Sequence, residues 1–136
     1  MSDYNSQYSG ARIEELLAMI PNLAKADLSN AMTVSLGANG YAKFNNGLLI
    51  QWGTRVGATR GAINLYFPTS FYNTDYNIYF TGAVNNTGES FIYAPGYDLN
   101  GKYTSYCRVL TRGINSTPAI VWTSWNFTWF AIGRWK

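Results

Sequence analysis

The segment Tyr97-Asp98-Leu99-Asn100-Gly101-Lys102-Tyr103 packs phenol rings, a carboxylate, an amide and an ammonium into one short stretch. Those types at that density suit sugar recognition. An aromatic ring stacks on the apolar face of a pyranose, and a few polar groups beside it fix the hydroxyls. Trp125-Asn126 offers another aromatic next to an amide, and Arg112 and Asn115 can join them. The candidate ligand contacts are therefore Tyr97, Asp98, Asn100, Lys102, Tyr103, Arg112, Asn115, Trp125 and Asn126. Each also has a plainer role open to it. The rings can serve a core or a subunit interface, and Asp98, Asn100 and Asn126 can be ordinary turn formers.

Covalent chemistry has little to work with. The chain has no histidine, which removes Ser-His-Asp and Cys-His triads and imidazole metal sites. It has no Walker-type loop and no Gly-rich dinucleotide fingerprint. Beyond residue 40 the carboxylates are Asp75, Glu89 and Asp98. A glycosidase needs two, about 5–5.5 or 6.5–9.5 Å apart. Such a pair could still be assembled across a subunit boundary, but turns and strand starts explain each carboxylate more simply. We expect no enzymatic activity, no cofactor and no bound metal.

Composition points to a contact surface. Charged residues are only 12% of the chain and aromatics are 17%, about half the usual charge. Tyr and Trp supply large contact area at low entropy cost, in binding surfaces and subunit interfaces alike. The net charge of +3 is unevenly placed: residues 1–40 are acidic on balance and residues 41–136 basic. A solvated surface accounts for that, and a basic face for anionic polysaccharide or lipid phosphate is the sharper option. No Lys/Arg stripe or basic helix suggests nucleic acid. Cys107 stands alone, so no intrachain disulfide forms, and it reads as an inert buried thiol. The start, Met1-Ser2-Asp3-Tyr4-Asn5, is too polar for a signal peptide. No stretch reaches the ~18 apolar residues of a membrane span.

Two kinds of element must position these residues. Residues 1–10 are polar and rich in Ser, Tyr and Asn. Ile13, Leu16, Leu17, Ile20 and Leu23 then follow helical spacing, and Pro21 should end or kink the helix. Leu23–Leu28 could add a short turn of helix. The stripe is too short to stand alone. It needs either the chain's own sheet or other copies around a threefold axis. From Asn39 the period becomes two. Leu48, Ile50 and Trp52 share one strand face, Ile63, Leu65 and Phe67 the next, and Ile78 and Phe80 point inward. Asn85-Asn86-Thr87-Gly88 reads as a hairpin turn, and Phe91 and Tyr93 share a short strand. Residues 94–102 read as the longest irregular stretch, and strands follow near 103–111, 119–123 and 127–133. The organisation is thus a flexible segment and helical stem over residues 1–38, and a β-sandwich over residues 39–136.

Separated motifs in this second part resemble one family. They are Gly40-Tyr41-Ala42-Lys43-Phe44, Asn46-Gly47-Leu48-Leu49-Ile50-Gln51-Trp52-Gly53, Phe67-Pro68-Thr69-Ser70-Phe71-Tyr72-Asn73, Tyr76, and Phe130-Ala131-Ile132-Gly133. In that order they resemble the C-terminal tip domain of bacteriophage tail fibres. Asn22–Asn30 is similar to phage fibre linkers. Asn45, where that family commonly has Pro, departs from the pattern. The resemblance implies an all-β fold, an antiparallel β-sandwich with a short N-terminal helical stem, assembled as a homotrimer at the distal end of a virion's tail fibre. It implies noncovalent, multivalent recognition of a host surface receptor, most simply a glycan such as lipopolysaccharide, or else an outer-membrane protein, with neither nucleic acid binding nor membrane insertion. It does not transfer particular receptor contacts. A structural trimerisation cap and a free lectin-like carbohydrate-binding protein remain as alternatives.

Overall fold

A computed structural model of the chain describes residues 7–56, 61–83, 92–124 and 126–136. The chain divides into two compact units, Met1–Met32 and Thr33–Lys136.

In the first unit, helix α1 spans Gly10–Met19, and Ser9 caps it by accepting the Arg12 N–H at 3.2 Å. Pro21 ends it through a 3-10 turn at Ile20–Asn22, as its missing N–H requires. The stripe Ile13, Leu16, Leu17, Ile20 and Leu23 is present and exposed. Leu23–Leu28 makes turns rather than the extra helical turn anticipated. Asn30 draws that backbone away from helical pairing: it accepts the Lys25 N–H at 2.8 Å and donates to the Leu23 carbonyl.

The second unit is all-β. Its described strands are β1 (Met32–Ser35), β2 (Gly40–Phe44), β3 (Leu48–Arg55), β4 (Gly61–Tyr66), β5 (Asn77–Ala83), β6 (Ile92–Lys102), β7 (Tyr106–Ile114), β8 (Ile120–Trp122) and β9 (Asn126–Arg134). One sheet runs β1-β2-β3-β9-β5, and the other runs β4-β7-β6 with β8 also on β7. Strand β1 falls inside the span read as stem. The β2–β3 turn is the anticipated Asn/Gly turn. Asn46 accepts the Leu48 N–H at 3.1 Å, and Gly47 takes a φ of 102°, a left-handed conformation that glycine adopts freely.

The inner faces of both sheets share one core. Leu49, Ile78, Phe127, Trp129 and Ala131 come from the first sheet, and Ile63, Leu65, Cys107 and Val109 from the second. Phe67, Phe71 and Tyr76 join them as an aromatic cluster. Phe67 meets both other rings edge-on, and Phe71 stacks on Tyr76 at 4.5 Å.

Two sequence expectations change. Leu48, Ile50 and Trp52 do share a face, but it is the half-buried outer one, while Leu49, Gln51 and Gly53 are buried. The outer parity of β3 is the more apolar by count, because Gln51 and Gly53 share the buried one, so alternation favours the wrong face. Residues 94–102 are irregular only between Tyr97 and Lys102. They belong to β6, an edge strand, where Pro95 is tolerated. Asp98, Leu99, Asn100 and Gly101 bulge in that interval, while Pro95, Gly96 and Tyr97 pair regularly with β7. The anticipated Asn85–Gly88 turn, Glu89, Phe91 and Trp125 lie outside the described residues.

Candidate functional site

Alternation along β4 and β7 builds the most distinctive surface of the second unit. Ile63 and Leu65 point into the core, so Asn64 and Tyr66 point out. Cys107 and Val109 point in, so Arg108 and the half-buried Tyr106 lie on the outer face. The register sets Tyr66 opposite Tyr106 and Asn64 opposite Arg108. Cross-strand partners share a face, and the Tyr66 and Tyr106 rings lie 5.3 Å apart. The β6–β7 turn then folds Tyr103 onto Tyr106, with centroids 4.4 Å apart and planes 20° from parallel. The result is a row of three rings, Tyr66, Tyr106 and Tyr103. Desolvation first, and then Tyr103 beside it, push the Tyr106 hydroxyl above the ordinary phenol value, so it stays a neutral donor at physiological pH.

The core holds this ledge in place. Phe67 N–H donates to Ser105 O at 3.0 Å and Phe71 N–H to Thr104 O at 2.9 Å, pinning the turn between Tyr103 and Tyr106. The Tyr76 hydroxyl, buried below, donates to Tyr103 O at 3.1 Å. Lys102 donates to Tyr76 O at 2.6 Å and sits 4.5 Å over the Tyr76 ring. Its ammonium thus braces the turn from within. Asp98 lies at the ledge's flank, 3.8 Å from Arg108, and accepts the Asn100 N–H at 3.0 Å.

On the other side of Tyr66 a cleft of about 310 Å³ opens. Asn39, Thr54 and Arg55 form one wall, Asn64, Tyr66 and Pro68 the other, and Leu65 and Phe67 contribute apolar surface. Asn39 is fixed there by accepting the Thr54 N–H at 3.0 Å.

The residues singled out from sequence separate into groups. Tyr103 belongs to the ledge, Asp98 and Asn100 to its flank, and Lys102 to its underside. Tyr97 pairs with inward-facing Val109 and lies at the sandwich rim, 6.5 Å from the Phe80 ring. Arg112 is further along β7, 4.5 Å over the Trp122 ring. Asn115 closes the β7–β8 turn by accepting the Ala119 N–H at 3.1 Å. Asn126 opens β9, in the other sheet, opposite Ala83. Trp125 is outside the described residues. The structure therefore does not bring all nine to one place. Sequence reasoning missed Tyr66, Tyr106, Asn64, Arg108 and Arg55 because it looked to loops. Their signal was the outward parity of two well-alternating strands. Among the described residues, no group of three or more His, Cys, Asp or Glu could hold a metal ion. No described helix is long and apolar enough to cross a membrane.

Comparison with known proteins identifies the setting of this surface. The protein-family model for the C-terminal region of gp53-like tail fiber proteins matches residues 43–134, more than half of the chain. The chain belongs to this tail fibre family. The match spans the ledge, most of the cleft and the whole core of the tail fibre domain. Among solved structures, an N-truncated R2-type pyocin tail fiber superposes with a TM-score of 0.57 at 18% identity, over 98% of this chain and 54% of that one. A C-terminal fragment of the P. aeruginosa R2 pyocin fiber gives 0.56 at 18%, over 98% and 38%. An N-truncated R1-type pyocin tail fiber gives 0.50 at 15%, over 95% and 99%. At these identities the likeness is one of fold. The domain spans about half or less of the two R2 structures. No curated protein matches it in sequence.

Proposed function

We propose that this tail fibre domain recognises a receptor on the host bacterial surface, a glycan such as lipopolysaccharide, at the distal end of the fibre. The observation that carries this reading is the Tyr66–Tyr106–Tyr103 row. It is an aromatic shelf fixed by hydrogen bonds to the core, with Asn64, Arg108 and Asp98 along its flank. Rings of this kind stack on the apolar faces of sugars, and the flanking groups satisfy hydroxyls. Recognition is noncovalent, with no catalytic step.

The assembly in this proposal is a homotrimer. Its support is the outer face of the five-stranded sheet. There Trp52 and Phe130 are cross-strand partners, Ile50 and Ile132 form the next pair, and Tyr79 lies beside Phe130. Phe130 and Tyr79 are 41% and 61% exposed in the single chain, so this apolar face suits burial against further copies. The stripe Ile13, Leu16, Ile20 and Leu23 supplies a second apolar contact. Three shallow sites on one stem act together through effective concentration, so weak individual binding becomes strong attachment.

The test is binding of the purified chain to intact bacteria and to their isolated surface glycans, with oligomeric mass read by light scattering. Tyr66→Ala and Tyr106→Ala are expected to abolish attachment while leaving mass and melting unchanged. A trimer that attaches equally well with both rings removed would mean a structural cap or a different contact face. A monomer would overturn the assembly.

A further inference from the structure

The cleft beside Tyr66 carries a charge, Arg55, with no ion pair among the described residues. Leu49, Gln51 and Gly53 form the buried row of β3, and Arg55 continues the same parity, opposite buried Phe127. An arginine on the inward parity emerges where the sandwich ends, at the cleft between β3 and β4. Among the described residues the Arg55 side chain has no ion pair and no hydrogen bond, its backbone lying in the β3–β9 ladder. The described carboxylates of this unit are occupied: Asp98 faces Arg108 at 3.8 Å, and Asp75 accepts from Asn73 at 2.6 Å. With Arg55 the cleft is lined by Asn39, Asn64, Thr54 and Tyr66, which carry amides and hydroxyls, and by the apolar Leu65 and Phe67. A guanidinium flanked by neutral polar groups and an apolar floor is the chemistry of an acidic sugar. It forms paired hydrogen bonds to a carboxylate or phosphate, while the amides and hydroxyls take the ring hydroxyls. The volume of about 310 Å³ is at the small end of ligand pockets, roughly 300–1,000 Å³. It suits a single sugar unit.

Tyr66 is a wall of this cleft and the first ring of the ledge. A glycan stacked along Tyr66, Tyr106 and Tyr103 would therefore present its next unit to Arg55. We infer that this cleft holds one acidic unit of the receptor glycan, a uronate carboxylate or a phosphate paired with Arg55. The inference rests on the receptor reading above and narrows the receptor to anionic glycans.

The experiment measures binding of the full chain to lipopolysaccharide from a strain it attaches to. The preparation is tested untreated, after carboxyl reduction, and after dephosphorylation with hydrofluoric acid. Arg55→Gln and Arg55→Lys are run beside the parent, with trimer mass and melting checked for each. The expected result is a roughly ten- to hundredfold loss for Arg55→Gln on untreated glycan, the span of a charged hydrogen bond. Arg55→Lys should keep part of the affinity. One of the two treatments should weaken the parent equally and erase the difference between parent and Arg55→Gln, and which one does so identifies the acid. An Arg55→Gln variant that binds untreated glycan like the parent would overturn the inference and leave the receptor reading intact. So would a variant whose loss is the same on treated and untreated glycan. A parent chain that attaches to no bacterium and no glycan would overturn the receptor reading itself, and this inference with it.

Discussion

Gln51 is fully buried, and its amide meets the Thr69 peptide on both of its polar groups. Nε2 donates to Thr69 O at 2.8 Å, and Oε1 accepts the Thr69 N–H at 2.9 Å. This pair anchors the chain just after Pro68, a wall residue of the cleft. Gln51→Leu keeps the volume and removes both partners. Each orphaned buried group costs about 1–3 kcal/mol, so the pair costs about 2–6 kcal/mol. Extra apolar burial offsets roughly 1 kcal/mol, the value of about one methylene. The net expectation is a loss of about 1–5 kcal/mol. Gln51→Glu separates the two bonds. A carboxylate there keeps the Thr69 N–H but turns an oxygen on Thr69 O, and burial raises its pKa. A protonated carboxyl can donate to Thr69 O again. Because the folded value lies above the unfolded one, the stabilisation is complete below the unfolded glutamate value of about 4.3. It is lost as pH rises through the folded value. The assay is urea unfolding followed by tryptophan fluorescence, at fixed protein concentration, near neutral pH and again near the unfolded glutamate value. Gln51→Leu should lose about the same at both. Gln51→Glu should be the more damaged near neutrality and recover in acid. A Gln51→Leu variant within about 0.5 kcal/mol of the parent, the range of ordinary surface changes, would refute the reasoning. So would a Gln51→Glu variant indifferent to pH.

The remaining predictions concern the core, the ledge support and the outer sheet face. A Cβ on Gly133 would lie 2.7 Å from the Tyr76 Cβ and 2.9 Å from the Phe71 ring, so Gly133→Ala should cost about 1–3 kcal/mol in the same assay. Desolvation pushes Tyr76 and Cys107 above their ordinary values. Raised folded values mean stability that is present below the unfolded ones, about 8.5 for Cys and 10 for Tyr, and lost as pH rises through them. Melting temperature should therefore fall on the alkaline side, and Tyr76→Phe should flatten that fall while losing about 1 kcal/mol near neutrality with its bond to Tyr103 O. Phe130→Glu places a charge in the centre of the outer apolar face, and light scattering should then report single chains; an unchanged mass would remove that face from the assembly.

Much of the fold was legible because its signals were local. Pro21 marked the end of α1, the Asn46-Gly47 turn marked the β2–β3 hairpin, and alternation in β4 and β5 identified which residues reach the core. Where legibility failed, more than one physical solution satisfied the same pattern. Leu48-Leu49-Ile50-Gln51-Trp52 is apolar on one parity and mostly small or mixed on the other, so counting apolar residues favours the wrong side. The buried parity contains Gln51, whose burial makes sense only once the Thr69 peptide is known to lie over it, 18 positions away in sequence. Strand β6 was hidden by Pro95, Gly96 and Gly101. Its edge position excuses the proline, and Gly101 lies so close to the Arg108 Cβ that a side chain would clash.

The same logic explains why the candidate site was only half visible. A loop-first reading finds Asp98, Asn100 and Tyr103, which lie near one another in sequence. It cannot find Tyr66, because its partnership with Tyr106 spans the core segment that pins the turn between them. That segment contributes Phe67 and Phe71, whose N–H groups hold Ser105 and Thr104, and Tyr76, whose hydroxyl holds Tyr103 O. The stacked Tyr103 and Tyr106 rings therefore flank a turn fixed by residues of the hydrophobic core. Such a shelf loses little conformational entropy on meeting a ligand, so even a shallow stacking contact keeps most of its energy. A chain with few charges and many tyrosines gains by that arrangement. In the proposed receptor reading the neutral shelf would supply contact area, and Arg55, which makes no ion pair among the described residues, would discriminate.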